Sequence, residues 1–294
     1  MKQRIEELSV CPEHQASELV EYVSKEEQSR YQTGVRMLLF LVKHTRPDIA
    51  NAVRELSKVL DGASPAAYKE LMRCIKYVLD TRDLSLKFSP KLEEGQKWNI
   101  IAYSDSDWAT DPETRISITG FILYLCGVPI SWKSKTQKSV TLSSTEAEYV
   151  AMSETAKEIS FIYQILESMG IKVELPIIVR VDNIGAIFMA ENRAVSQRTK
   201  HVDTRLRFVN EFIEKGFIKI RFVKTDENNA DLVTKNLGSE LHERHTKDMM
   251  EVSDLSTNKK GVGESIGTND RRPIGRTTDD GQKDGQNGLE NYTS

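Results

Sequence analysis

Residues 98–111, WNIIAYSDSDWATD, decide how the rest of the chain is read. An apolar run, Trp98-Asn99-Ile100-Ile101, passes through Ala102 and Tyr103 into two acids, Asp105 and Asp107. The run reads as a strand heading into a core. No Lys or Arg adjoins the acids in sequence, and an ionised carboxylate withdrawn from water is costly unless paired or bound to a metal. Either the two acids sit at a wet strand end, or a cation that the chain does not supply belongs beside them.

Working outward, GFILYLCG (120–127) and VPISWKSK (128–135) read as two further strands, with Gly120 and Gly127 as turn punctuation. Ser143-Ser144-Thr145-Glu146 has a capping-box pattern that opens a long helix to Met169, closed by Gly170. Pro176 to Val181 is a strand, Ile184 to Ala190 a short helix, and Val202 to Lys215 a longer one. Phe217 to Lys224 is a strand, and a helix starts near Asn229. The order βββαβααβα predicts an α/β domain (α+β, mixed sheet) with helices packed on the sheet. Upstream, residues 17–87 read as helices: Ile49, Ala52, Val53, Leu56, Val59 and Leu60 keep helical spacing, and Ser64-Pro65 caps a second amphipathic segment. Nothing there carries chemistry. Residues 251–294 hold eight acidic and six basic residues, seven glycines and few apolar ones, so a disordered tail is expected.

Composition sets the outer limits. The 294 residues, 38% hydrophobic and 29% charged, suffice for a globular core. A net charge of −3 gives no global pull toward nucleic acid, so that function needs local asymmetry. Cys11, Cys74 and Cys126 are too few and too scattered for a disulfide framework, which points to a reducing compartment. Cys11-Pro-Glu-His14 lacks the second half of a zinc site. No run approaches a membrane span and the N-terminus has no signal-peptide core, so an intracellular protein, cytoplasmic or nuclear, is expected.

Four acids fall at element ends: Asp105 after the first strand, Glu148 in the first turns of the long helix, Asp182 after the fourth strand and Asp231 at the head of the last helix. Each has an ordinary explanation as a helix-dipole partner, cap or turn residue. All four together, each from a different element, suggest converging carboxylates. Such oxygens suit Mg²⁺, and two ions about 4 Å apart can activate water and stabilise the leaving oxygen of an in-line displacement. On that reading the missing cation is a metal, with Mn²⁺ as a substitute.

YSDSDWA, LSSTEAEYVA, VDNIGAI, RTKHVDTRLRFV and NNADLVTK, in that order, resemble the ribonuclease H domain of copia-type LTR-retrotransposon polyproteins. The match covers about 97–240. The stretch YQTGVRMLLFLVKHTRPDIANAVRELSKVL, within 1–90, resembles the segment joining reverse transcriptase to that domain. The resemblance implies a ribonuclease-H-like fold and cleavage of the RNA strand of RNA–DNA hybrids, beside a reverse transcriptase partner. Its catalytic, metal-binding acids map onto Asp105, Glu148, Asp182 and Asp231. Glu148 is preferred to Glu146 because Ala147-Glu148-Tyr149-Val150-Ala151 fits the motif and Glu146 serves the cap. Asp107 is a less certain neighbour. The chain departs from the pattern at VTKNL, where proline usually follows the lysine. It has no Tyr-x-Asp-Asp motif and is expected not to polymerise DNA.

For substrate, Asn192 to Lys224 holds nine Lys or Arg against Asp203, Glu211 and Glu214. Phosphate contacts of this kind grip nucleic acid without reading sequence. Arg198, Lys200 and His201 are the favoured contacts, with Lys133, Lys135 and Lys138 as weaker ones. Asn183, Ser143 and Ser144 could reach the 2′-hydroxyl, though all three also suit caps. His201 is read as a structural or phosphate-contact residue ahead of a proton carrier, and His242 and His245 are expected to face solvent. An integrase or transposase would carry its acids in another order. The alternative from another class is an idle nucleic-acid-binding remnant of a truncated retroelement. Helices 1–90, without a polymerase, are expected to leave an apolar face open.

Overall fold

A computed structural model describes residues 22–90, 92, 97–111, 113–192 and 203–253 of the chain. Three helices come first: α1 (Lys25–His44), α2 (Ala50–Ser57) and α3 (Pro65–Asp80). Ser24 closes a full capping box on α1 with Glu27, and the Ser64 side chain accepts from the Ala67 amide to start α3, with Pro65 in the first turn. Their shared core holds Tyr31, Val35, Leu38, Val53, Leu56 and Leu71.

Next come β1 (Leu84–Leu86), β2 (Ile100–Asp107), β3 (Ile118–Leu125), β4 (Val128–Thr136) and α4 (Ser144–Ser168). They are followed by β5 (Ile177–Val181), α5 (Ile184–Asn192), α6 (Asp203–Glu214) and β6 (Ile218–Phe222). The chain then forms α7 (Asp231–Thr234), α8 (Ser239–Met249) and β7 (Met250–Val252). The main sheet has the order β4-β3-β2-β5-β6. β2, β3 and β4 are antiparallel neighbours, whereas β5 lies parallel to β2 and β6 parallel to β5. A three-strand meander extended on one edge by two parallel strands through helical crossovers is the ribonuclease-H-like mixed α/β fold that the motifs implied.

The sheet is covered on both faces. Ile100, Ala102, Phe121 and Leu123 pack with Tyr149, Met152 and Ile159 of α4 and with α5 and α6. The residues between them, Tyr103, Ile122 and Tyr124, face the other way and pack with Ala50, Ala230, Leu232, Val233 and Met249. Period-two alternation therefore hands each face of β2 and β3 to a different helical layer.

Four corrections follow. Gly120 is not a turn residue: it sits in the middle of β3, opposite Asp105. A Cβ there would lie 2.3 Å from Thr234 Cγ2 and 2.8 Å from Val233 Cγ2, so its missing side chain is what lets α7 lie on the sheet. Only Gly127, with φ +83°, marks a turn. The helix expected from Asn229 is a single turn, α7, with α8 following. Within the stretch read as helical, 84–86 is a strand, β1, antiparallel to β7, and 250–252 is part of that ladder and not of a disordered tail. Beyond Ser253, the tail lies outside the described residues. The helical segment, moreover, does not leave its inner face open. Trp132 of β4 donates to the Val42 carbonyl at 2.7 Å, Arg54 to Ser134 at 2.9 Å, and Asn51 to Asn236 at 2.9 Å. On their outer sides these helices do leave apolar side chains exposed, at Met37 and Phe40 of α1 and at Met72 and Leu79 of α3.

Candidate active site

The site forms where β2 ends. In the parallel ladder Tyr103 stands beside Arg180, so two residues further on Asp105 and Asp182 come together on the same side of the pleat; Asp105 does not end its strand as expected, since β2 continues to Asp107, whereas Asp182 directly follows β5. Strands alone bring these two together. The third acid arrives from the second turn of α4: Ser143 caps the helix by accepting from the Glu146 amide at 3.1 Å, and Glu146 Oε2 accepts from the Leu142 amide at 2.8 Å. With Glu146 turned back to the helix start, Glu148 faces the strand, and its Oε1 accepts from the Ser106 amide at 3.1 Å. Asp105, Glu148 and Asp182 each offer a carboxylate oxygen, all within 4.8 Å of one another. Asp105 is fully buried, Glu148 buried and Asp182 half-buried. Glu148 Oε2 is buried with no hydrogen-bond partner.

Asp231 enters from the opposite layer. The segment NNADLVTK anchors itself residue by residue: Asn228 donates to the Ser104 carbonyl at 3.1 Å, and Asn229 to the Tyr124 hydroxyl at 2.9 Å. Thr234 donates to Asp105 Oδ2. Lys235 Nζ then reaches Asp231 Oδ1 at 2.7 Å and Asp105 Oδ1 at 3.1 Å. Asp105 thus belongs to both sides, and Asp231 meets the cluster through a lysine. The expectation that the chain supplies no cation for Asp105 is corrected here: Lys235 supplies one, 130 residues away in sequence. Reading the last motif for its acid alone missed Lys235, Thr234 and both asparagines. The i, i+4 spacing of Asp231 and Lys235 was the available signal.

Electrostatics follow from this placement. Burial, then the neighbouring Asp105 and Asp182 charges, push the Glu148 carboxyl well above its usual range. Burial also raises Asp105, against the pull of Lys235 and Thr234. Asp231 is pushed up to about 7, by burial first and the Asp105 charge second. Burial works against the charge of Lys235, but Asp105 and Asp231 outweigh it and raise the ammonium above its ordinary value. Three close carboxylates with one buried, unpartnered oxygen form a hard-oxygen donor set that fits Mg²⁺ or Mn²⁺.

The other sequence candidates are placed as follows. Asp107, at the end of β2, is not in the group of three; its charge acts on Arg54. The Asn183 side chain accepts from the Ala186 amide at 2.9 Å and so caps α5 beside Asp182, while Ser144 is exposed at the head of α4. Lys133 lies over the Phe121 ring, 5.8 Å from its centroid, and Lys135 and Lys138 line a pocket of about 270 Å³ with Lys157. Arg198, Lys200 and His201 lie outside the described residues. His242 and His245 do not both face solvent: His242 is half-buried, 2.9 Å from the Asp48 carbonyl, and His245 is buried against Asn229 at 3.0 Å. Burial lowers the His245 pKa, so it anchors Asn229 as a neutral ring.

No family model matches the chain. Over 204 residues, 69% of its length, it is 34% identical to the retrovirus-related Pol polyprotein from transposon RE2 of Arabidopsis thaliana. Over 205 residues, 70%, it is 34% identical to that from transposon TNT 1-94 of Nicotiana tabacum. The matched stretch spans only 14% and 15% of those polyproteins. Among solved structures it is similar to LC11-RNase H1 in complex with an RNA/DNA hybrid, at 13% identity and a TM-score of 0.36, over 46% of this chain and 94% of that one.

Proposed function

The chain belongs to the retrovirus-related Pol polyproteins of copia-type transposons, and from that premise we propose that it cleaves the RNA strand of RNA–DNA hybrids with divalent metal. The observation that carries this reading is the meeting of Asp105, Glu148 and Asp182 within 4.8 Å around a buried, unpartnered glutamate oxygen. Like charges this close, out of water, stay ionised together only with a compensating cation. Mg²⁺ held by these three would supply an activated water and neutralise charge on phosphorus.

The chain's own residues do the rest. The Ser106 amide fixes Glu148, and Thr234 fixes Asp105, so two of the three oxygen sets are aimed before substrate arrives. Asp231 accepts the Lys235 ammonium at 2.7 Å and so holds that charge beside Asp105. Asn183, which follows Asp182 in the chain, and Ser144, exposed at the head of α4, are proposed polar contacts to a ribose hydroxyl. Arg198, Lys200 and His201 are proposed phosphate contacts just before α6. Residues 1–90 are proposed as the connection to a reverse transcriptase, and 97–240 as the nuclease domain.

The test is cleavage of a labelled RNA–DNA hybrid by the full chain under Mg²⁺ titration, beside Asp182→Asn. Metal-dependent cutting that the variant loses is the expected result. Hybrid binding with no metal dependence and no cutting would favour the idle binding remnant.

A further inference from the structure

This inference rests on the hydrolytic reading and concerns how many ions that site takes. The four acids are not equivalent. Asp105, Glu148 and Asp182 can put oxygens within 4.8 Å of one another, and Asp231 is not in that group. Between Asp231 and the others stands the Lys235 ammonium, 2.7 Å from Asp231 Oδ1 and 3.1 Å from Asp105 Oδ1. Among the described residues, it is the cation paired with these acids. We propose that Lys235 takes the place of the second divalent ion, so that this chain binds one ion, at Asp105, Glu148 and Asp182.

Three features hold the ammonium there. Its backbone amide donates to the Asp231 carbonyl at 2.9 Å, closing the turn of α7 so that Asp231 and Lys235 lie on one side. That turn is seated on the sheet by Thr234, bonded to Asp105, and by the missing side chain of Gly120. On the far side Asn236 accepts from Asn51 of α2, so the residue after Lys235 is fixed as well. The Lys235 side chain is only 28% exposed. A second dication bridging Asp105 and Asp231 would need the oxygens that the ammonium already occupies, and it would have to displace that ammonium from both acids. On the other side, Glu148 Oε2 is buried and unpartnered, and no basic side chain pairs with Glu148 or Asp182 among the described residues. Among the described residues, the need for a cation is therefore left open at Asp105, Glu148 and Asp182.

Lys235 is then a positioning residue with a charge role. It compensates Asp105 and Asp231 permanently, leaving a single ion as the exchangeable part of the site.

The experiment counts Mn²⁺ bound to the full chain by electron paramagnetic resonance, with and without an RNA–DNA hybrid. One magnetically isolated Mn²⁺ per chain is expected in both conditions. Lys235→Met should take two ions, with the spectrum of a coupled pair, whereas Lys235→Arg should stay at one. Asp231→Asn should keep the single ion, with an affinity loss smaller than the ~10-fold that disturbing a ligand's support costs. Two Mn²⁺ on the unaltered chain with hybrid would overturn the proposal, and so would a folded Lys235→Met protein that still binds one. If Lys235→Met does not fold, the counts on the unaltered chain and on Asp231→Asn decide. Cleavage is scored in the same samples. Cutting with two ions bound sinks the single-ion assignment alone, and one ion with an intact hybrid sinks the nuclease reading alone.

Discussion

The two sides of the carboxylate pocket solve the same electrostatic problem differently. On the side of α7, Asp231 and one oxygen of Asp105 share the ammonium of Lys235. On the side of α4 and β5, Glu148 and Asp182 have no basic partner among the described residues, and Glu148 keeps an oxygen that bonds to nothing. A buried acid with its own cation is a structural element. A buried acid without one is a site that waits for a ligand, because its charge is stabilised only when something cationic comes from outside. The difference predicts that substitutions on the two sides move stability in opposite directions.

The largest effect belongs to Glu148→Gln. It keeps the shape and removes the charge that Asp105 and Asp182 repel. Hybrid cleavage should fall by about 10³-fold or more, since the several kcal/mol of charge stabilisation from a bound metal depend on this ligand. The metal-free protein, however, should melt at a higher temperature than the unaltered chain. A lower melting point would mean that Glu148 is satisfied as it stands, and the contrast between the two sides would collapse.

Lys235→Met should do the reverse. Removing one partner of a buried pair strands the other, at a cost of about 3 kcal/mol, or a fall of about 6 °C or more in Tm for a chain of this size. Added Mg²⁺ should recover much of that loss, because an ion can then enter beside Asp231. Thermal melts with and without Mg²⁺ read both changes. A metal-free Tm unchanged by the substitution would show that the lysine side is no more self-sufficient than the other.

The pH dependence of the metal-free protein sharpens the same point. Asp231 is raised from its usual 3.8 to about 7 in the folded chain. Between those values the folded state holds a proton that the unfolded state has lost. Stability therefore falls as pH rises from about 4 to about 7 and levels off above. Glu148 and Asp105, both raised, act in the same direction. Binding of Mg²⁺ requires ionised carboxylates, so saturating metal should flatten or reverse the trend. Melting temperatures across this window, with chelator and with Mg²⁺, measure the slope, and a metal-free Tm that climbed toward pH 7 would contradict the raised carboxyls.

Gly120→Ala probes how the lysine side is built. The added methyl would meet Thr234 and Val233 below any tolerable contact distance, and backing α7 away should cost about 2 kcal/mol as overpacking does. Activity should fall with it, because Thr234 and Lys235 both lose their reach to Asp105. This residue also marks where sequence reading stops. The strands, the capped helix α4 and the three clustered acids were legible because alternation, caps and element ends are local signals, and parallel pairing then sets Asp105 beside Asp182. Lys235 and Gly120 were not, because their roles depend on contacts between segments more than 100 residues apart, and His245 was not, because only the packing of its helix turns it toward Asn229, 16 residues earlier. A glycine within an apolar run looks like punctuation until the neighbouring layer is known. A histidine in a polar stretch looks solvated until its helix is seen to turn it inward.

The smallest expected effect lies farthest from the acids. Asn51 of α2 donates to Asn236 at 2.9 Å, the residue after Lys235, and Arg54 binds Asn51 and Ser134 beside it. The helical segment therefore buttresses the lysine side of the pocket and leaves the α4 side to the sheet. Asn51→Ala should cost about 1 kcal/mol, the ordinary net value of one hydrogen bond, plus a modest loss from the Asn236 group it strands. Its effect should be selective. Mn²⁺ affinity at Asp105, Glu148 and Asp182 should hold, while hydrogen exchange at the amides of 234–236 should quicken, since their tether to α2 is cut. If the exchange rates of that turn do not change, the helices are a neighbouring body packed on the nuclease fold and take no part in setting its lysine. If they rise together with a drop in ion affinity, the two sides of the pocket are coupled through Asp105 more tightly than their separate hydrogen bonds require.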